Sequence, residues 1–372
     1  MSDEQTANNP DHETAPVAPR PAAAGADHGA RVPAQSAAAP PASRRSPRPD
    51  VAFPPVDNGM DYLVSVFKHL TEGSVPPGAR DLKYTVLHLQ AATEVLLKAR
   101  LLVEHFSLVF ADPAKATREA WEKGTFVSCT TLEAIERLGN IAGIVVTEGD
   151  KRDIKKLAEA RNALQHFGLT QTAYAIEAGA ARVLNFLLPF IHLHLVPRLE
   201  EAQQVGVERT MDSLRLKLVG IQSLVTARMK SLRVELDPRR EATVECPDCR
   251  QWAMVADGAK DGPTCRFCHQ AWGGAASAAA NYAFMVLGQL EWLEVAHGGQ
   301  PPVRDCPECG DTALVLDAVT AASKPAAQPL CFGCATHFAD LRECEGGCGN
   351  VVSGDSEQLL CADCVDTFSR NF

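Results

Sequence analysis

Twelve of the chain's 13 cysteines stand in three quartets, and this arrangement limits the fold more than any other feature. The spacing is Cys246-x2-Cys249-x15-Cys265-x2-Cys268, then Cys306-x2-Cys309-x21-Cys331-x2-Cys334, then Cys344-x3-Cys348-x12-Cys361-x2-Cys364. A CxxC turn brings two thiolates about 4 Å apart, and two such turns make a tetrahedral sulfur cage suited to Zn²⁺. The set predicts about three structural zinc ions per chain, each closed off from a water nucleophile. Disulfides would need an oxidising compartment. The start Met1-Ser2-Asp3-Glu4 has neither a basic nor an apolar leader region, so a cytoplasmic location is expected. Sequential pairing of the quartets is the reading taken. Spacing alone also admits an interleaved arrangement that joins Cys306/Cys309 to Cys344/Cys348 and Cys331/Cys334 to Cys361/Cys364.

The cysteine segments resemble zinc ribbons, expected over 241–274, 303–338 and 340–372, with a connecting helix at 275–297. Residues 241–372 hold 18 acidic and seven basic side chains, net -11, whereas 51–240 hold 22 and 24, net +2. Each filled Cys₄ cage adds about two further negative charges. A surface so acidic repels phosphate, whose binding depends on Lys and Arg. The ribbons are therefore expected to dock a protein partner, and any RNA would meet the helical half.

At 372 residues and 46% hydrophobic, the chain can bury a sizeable core. Residues 1–50 cannot contribute: they hold 13 Ala and nine Pro with no Ile, Leu, Phe, Tyr, Trp or Cys, and read as a disordered tail. From about Asp61 to Glu235 the chain reads as helices, giving a mainly α fold. Asp81 to Phe110 is apolar almost all round, which marks a helix buried centrally or at a dimer seam. Thr130 with Glu133 is a capping box. Asp150 opens a helix with Ile154, Leu157 and Leu164 inward and Gly168 just past its end. Another helix runs from about Thr172 to Arg198, interrupted near Pro189. No apolar run reaches the length of a membrane span, so none is expected. One long helix from about Glu200 to Leu236 (the 200–240 stretch) repeats Met211, Leu214, Leu218, Ile221, Val225 and Leu232 as a packing seam. Its six basic residues between Arg209 and Arg233 face one acid, Asp212, and read as a solvated face. Cys129, outside the quartets, reads as a half-buried small side chain.

Arg161-Asn162-Ala163-Leu164-Gln165-His166 closes the helix from Asp150. Arg161 falls on or beside the apolar stripe, where a guanidinium needs a partner. Asn162 and His166 are i, i+4 neighbours, and the helix end favours the imidazolium form. Two readings follow: Arg161 pairs with Glu94 as a structural ion pair while His166 caps the helix, or the two side chains hold and attack a phosphodiester. The Arg-Asn-x-x-x-His string, with Lys83 to Arg100 as a long central helix, resembles the HEPN superfamily over about 61–199. That resemblance implies a HEPN-like helical bundle and a dimer whose two motifs meet in one cleft. It implies metal-independent RNA cleavage in a toxin or phage-defence setting, with Arg161 steadying the phosphate, His166 moving a proton and Asn162 orienting the site. Some HEPN domains act only as scaffolds, so a silent HEPN–zinc-ribbon adaptor is the alternative.

Overall fold

The computed structural model describes residues 51–72, 76–354 and 359–370. The expected tail at 1–50 lies outside them. The described residues from Ala52 onward form one compact unit. In chain order it contains α1 (Pro55–Thr71), α2 (Ala79–Glu104), α3 (Arg118–Glu122), α4 (Thr131–Ala142), α5 (Glu148–His166), α6 (Ala173–Phe190), α7 (Glu201–Leu218) and α8 (Gln222–Leu236). Then come β1 (Thr243–Glu245), β2 (Trp252–Val255), β3 (Thr264–Cys265), α9 (Ala275–Met285) and α10 (Glu291–Ala296). The chain closes with β4 (Val303–Asp305), β5 (Thr312–Val319), β6 (Ala327–Cys331), β7 (Leu341–Glu343), β8 (Val351–Ser353) and α11 (Ala362–Arg370).

Local chemistry explains the helix ends. Pro55 opens α1, where a missing N–H costs nothing, and α1 begins before the expected Asp61. Thr130 and Glu133 form the expected capping box of α4, and Gly143 ends that helix in the left-handed region at φ 66°. Thr147 caps α5, with Gly168 beyond its end at φ 105°. In α6 the regular ladder runs through Pro189 and then widens into a π turn at Ile191–Leu195. The stretch Ala173–Arg198, with a mean hydropathy of 1.4, is long and apolar enough to cross a membrane. Half of its most apolar window is buried in this fold.

Helix α2 is central within a single copy. Leu82, Val86, Leu89, Leu96, Leu97 and Leu101 are buried, and α1, α4, α5 and α6 all pack on it. The α1 contact is intimate: a side chain at Gly59 would meet Leu96 at 2.6 Å. The expected long helix from Glu200 is instead two helices, broken at Val219–Ile221 around Gly220. Helix α7 packs on α1 and α8 on α6, so the seam completes the bundle. The connecting helix expected over 275–297 is likewise two, separated by Gly288 at φ 71°.

The strands form three small antiparallel sheets, β1-β2-β3, β4-β5-β6 and β7-β8. The first two share the bundle's core. Val244 bridges to Thr320, the Ala321 N–H donates to Thr243 O at 2.7 Å, and Lys324 lies over the Trp252 ring at 4.4 Å. Tyr282 of α9 stacks edge-on against Phe332 and both donates to and accepts from the Val319 backbone. The third sheet has two sides: Val351 and Leu341 pack on the main core, whereas Cys344, Val352 and Cys361, with Leu360 and Cys364, make a separate small apolar cluster.

Candidate metal centres and the Arg161 groove

The quartets are sequential. Within each, the four Sγ atoms lie within 4.8 Å of one another. Cys246 and Cys268 are 3.8 Å apart, Cys249 and Cys265 3.6 Å, Cys306 and Cys334 3.7 Å, Cys309 and Cys331 3.7 Å, and Cys348 and Cys361 3.5 Å. These spacings match the edge of about 3.8 Å of a sulfur tetrahedron built on about 2.3 Å metal–sulfur bonds. They exceed a disulfide length of about 2.05 Å by far. The interleaved arrangement is not formed.

Four knuckles share one backbone pattern. The first cysteine's N–H donates to the residue five later (Gln251, Gln270, Asp311, Thr336), and its carbonyl accepts from the residue four later. That residue takes a positive φ even where it is not glycine: Arg250 at 58°, His269 at 58° and Ala335 at 61°. The positive φ lets the chain turn back on the first cysteine, and inside the turn the Cys268 N–H donates to Cys265 Sγ at 3.5 Å. All four cysteines of the first quartet are buried, whereas Cys309 and Cys348 are exposed and Cys334 and Cys364 half-buried. Burial pushes the Cys265 thiol well up, so a metal must displace its proton. In the third quartet the Cys361 N–H donates to Cys344 Sγ at 3.2 Å and brings that thiol down to about 7.

The first cage is tied to the bundle by arginines. Arg228 of α8 is 2% exposed, so the basic stretch is not wholly a solvated face. Its Nε donates to Phe267 O at 2.5 Å and its Nη2 to Arg266 O at 2.9 Å, both inside the second knuckle. Nη2 also donates to His269 Nε2 at 2.5 Å, which requires a neutral ring. Burial first, and Arg228 next, push the His269 pKa down to about 2. Burial lowers Arg228 to about 10, and it stays charged at neutral pH. Arg215 of α7 adds a longer contact to Cys268 O at 3.4 Å. The knuckle peptides thus present N–H to sulfur on one side and C=O to a guanidinium on the other. Arg304 repeats the device between the second and third ribbons, donating to Pro301 O at 2.7 Å and to Gly349 O. Sequence reading missed Arg228, although a signal existed: it lies on the seam, four residues after the buried Leu224.

The Arg-Asn-x-x-x-His segment closes α5. Arg161 and Asn162 line a groove of about 430 Å³ with Gln90 and Glu94 of α2, Ser128, and Lys155 of α5. The expected Arg161–Glu94 ion pair is not formed. Glu94 accepts from Lys98 Nζ at 2.5 Å and from Gln90 Nε2 at 3.3 Å, and Lys98 also donates to Ser128 Oγ at 2.8 Å. Arg161 donates sideways to Asn162 Oδ1 at 2.9 Å. His166 is exposed at the helix end and is not among the groove's lining residues. Cys129 is buried beneath the groove wall, and burial raises its thiol pKa. No family model, curated protein or solved structure matches the chain.

Proposed function

We propose that this protein is a metal-independent endoribonuclease of HEPN type, cytoplasmic and acting in a toxin or phage-defence role, with three structural Zn²⁺ ions. The observation that carries the reading is the groove at the end of α5, where Arg161 is left unspent because Lys98 and Gln90 take Glu94. A guanidinium not neutralised by a neighbouring carboxylate can hold a phosphate in two-point contact. Lys155, on the same groove wall, adds a second cation. His166, exposed one turn further on, supplies the group that moves a proton as the RNA 2′-OH attacks. Zinc is the metal assigned because four soft thiolates at tetrahedral spacing suit it, and RNA is assigned to the helical half.

Purified protein should cleave RNA, spare DNA and leave a 2′,3′-cyclic phosphate. His166→Ala should slow cleavage about 10²–10⁴-fold, the usual range for a positioned acid or base. Arg161→Ala should be at least as damaging, and Arg161→Lys should not restore full rate, because an ammonium lacks the planar fork. Cleavage that survives both substitutions would place the nuclease elsewhere. One observation favours the adaptor as a second reading. Trp292 and Val295 of α10 and Val365 and Phe368 of α11 are exposed on the acidic ribbon half, apolar positions suited to a protein partner. An inert wild type that still captures a partner through these residues would decide for it.

A further inference from the structure

Two side chains that carry acceptors, Gln90 and Glu94, line the α2 side of the Arg161 groove. Gln90 is 6% exposed, lines the groove, and its Oε1 accepts no hydrogen bond from any described residue. Its amide cannot be turned over without loss. Nε2 already donates to Glu94 Oε2 at 3.3 Å, and exchanging the two atoms would set oxygen against carboxylate. Glu94 stands beside it, held by Lys98. Buried polar atoms in folded proteins are nearly always paired, so an orphaned acceptor on a residue that lines a groove marks a place for a donor. The cations Arg161 and Lys155 stand on the α5 side of the same groove. A volume of about 430 Å³ holds one nucleotide.

We infer that this groove is a guanine-reading subsite, in which Gln90 Oε1 and the Glu94 carboxylate accept from the base while Arg161 and Lys155 hold the adjoining phosphate. The inference rests on the phosphodiester reading of Arg161 for the phosphate alone. Two adjacent acceptors call for two adjacent donors. On its pairing edge guanine presents N1–H and the N2 amino group side by side. Adenine and cytosine present one amino group next to an acceptor, and uracil a single N–H between two acceptors. Gln90 and Glu94 are specificity-determining residues in this scheme.

The test is direct binding of 3′-mononucleotides, which resemble cleavage products, to the full wild-type chain by calorimetry. 3′-GMP should bind roughly ten- to a hundredfold more tightly than 3′-UMP, the usual range for a good two-point base contact. 3′-IMP, which lacks the amino group, should fall between them. Glu94→Gln keeps shape but turns one acceptor into a donor, and should remove the preference for 3′-GMP. Gln90→Met, which fills the same space without an acceptor, should reduce it, and thermal melting should show both variants folded. Equal binding of all three nucleotides, or a guanine preference unchanged in both variants, would overturn the inference. Failure of the phosphodiester reading looks different. Guanine preference retained in Arg161→Ala with no loss of overall affinity would keep the base subsite and remove the phosphate site. Uniform weakening of all three nucleotides in that variant supports both.

Discussion

Arg228 carries a charge into a place where, among the described residues, peptide carbonyls, one neutral imidazole and the face of Phe267 receive it. Removing the guanidinium leaves Phe267 O and Arg266 O without their donor in a buried junction. Arg228→Met should therefore destabilise the fold by about 3 kcal/mol, read from the midpoint of denaturant unfolding. The same substitution should speed metal loss from the first cage more than from the other two, because the cage loses the cation behind its knuckle. A variant with unchanged midpoint and unchanged release would mean that the contacts are incidental. Arg228 was hard to see in the sequence because its partners lie 38 to 41 residues away. Thr130 and Glu133 were legible for the opposite reason: their bond closes over three residues. Arg161, Asn162 and His166 were picked out together, and Glu94 was named as an alternative partner for Arg161, but no part was given to Gln90. That Gln90 is orphaned while Glu94 is taken by Lys98 is a fact of three dimensions.

At the scale of elements, patterns of apolar spacing located most helices but not their breaks. The seam from Met211 to Leu232 keeps spacings of about three and four across Gly220, so nothing in the pattern announces two helices. Tertiary packing decides it: α7 must cover α1 and α8 must cover α6. The ribbons were legible as modules because cysteine spacing is a covalent-scale signal, but their unequal burial was not. That inequality sets an order of metal loss. Elemental analysis should give about three Zn²⁺ per chain, one for each closed thiolate cage. A chelator should then strip the third ribbon first, since Cys348 is exposed and its cluster is separate from the main core. A thiol-alkylating reagent should label Cys348 and Cys364 before any cysteine of the first quartet. Mass spectrometry of partly stripped protein reads both. Helical signal should hold until the first cage empties, because only that cage is bonded to α8. Simultaneous release of all three ions would show the ribbons to be one cooperative unit.

For the whole molecule, the apolar excess that suggested a dimer is largely covered within one copy, since α2 and the α7–α8 seam are buried by neighbouring helices. The proposed pairing must then use another surface. Phe167, directly after His166, is 85% exposed. A second copy bringing its own α5 end alongside would cover it while joining two His166 side chains. Light scattering should show a dimer at micromolar concentration, and Phe167→Asp should give a folded monomer with little cleavage. A monomeric wild type would remove the shared cleft. The bond between Arg228 and the first ribbon also has a consequence in time. Arg228 leaves the ribosome 39 residues before the Phe267 carbonyl that receives it. At about 5–20 residues per second, that gap lasts about two to eight seconds. Through this interval the α8 flank is unfinished, and it closes only when the knuckle has been made. If the proposed zinc must load the cage before the knuckle forms, a cell short of zinc would lengthen the wait and release complete chains with an open flank to the proteases that clear unfinished proteins. Metal supply would then set how much of the protein survives its own synthesis.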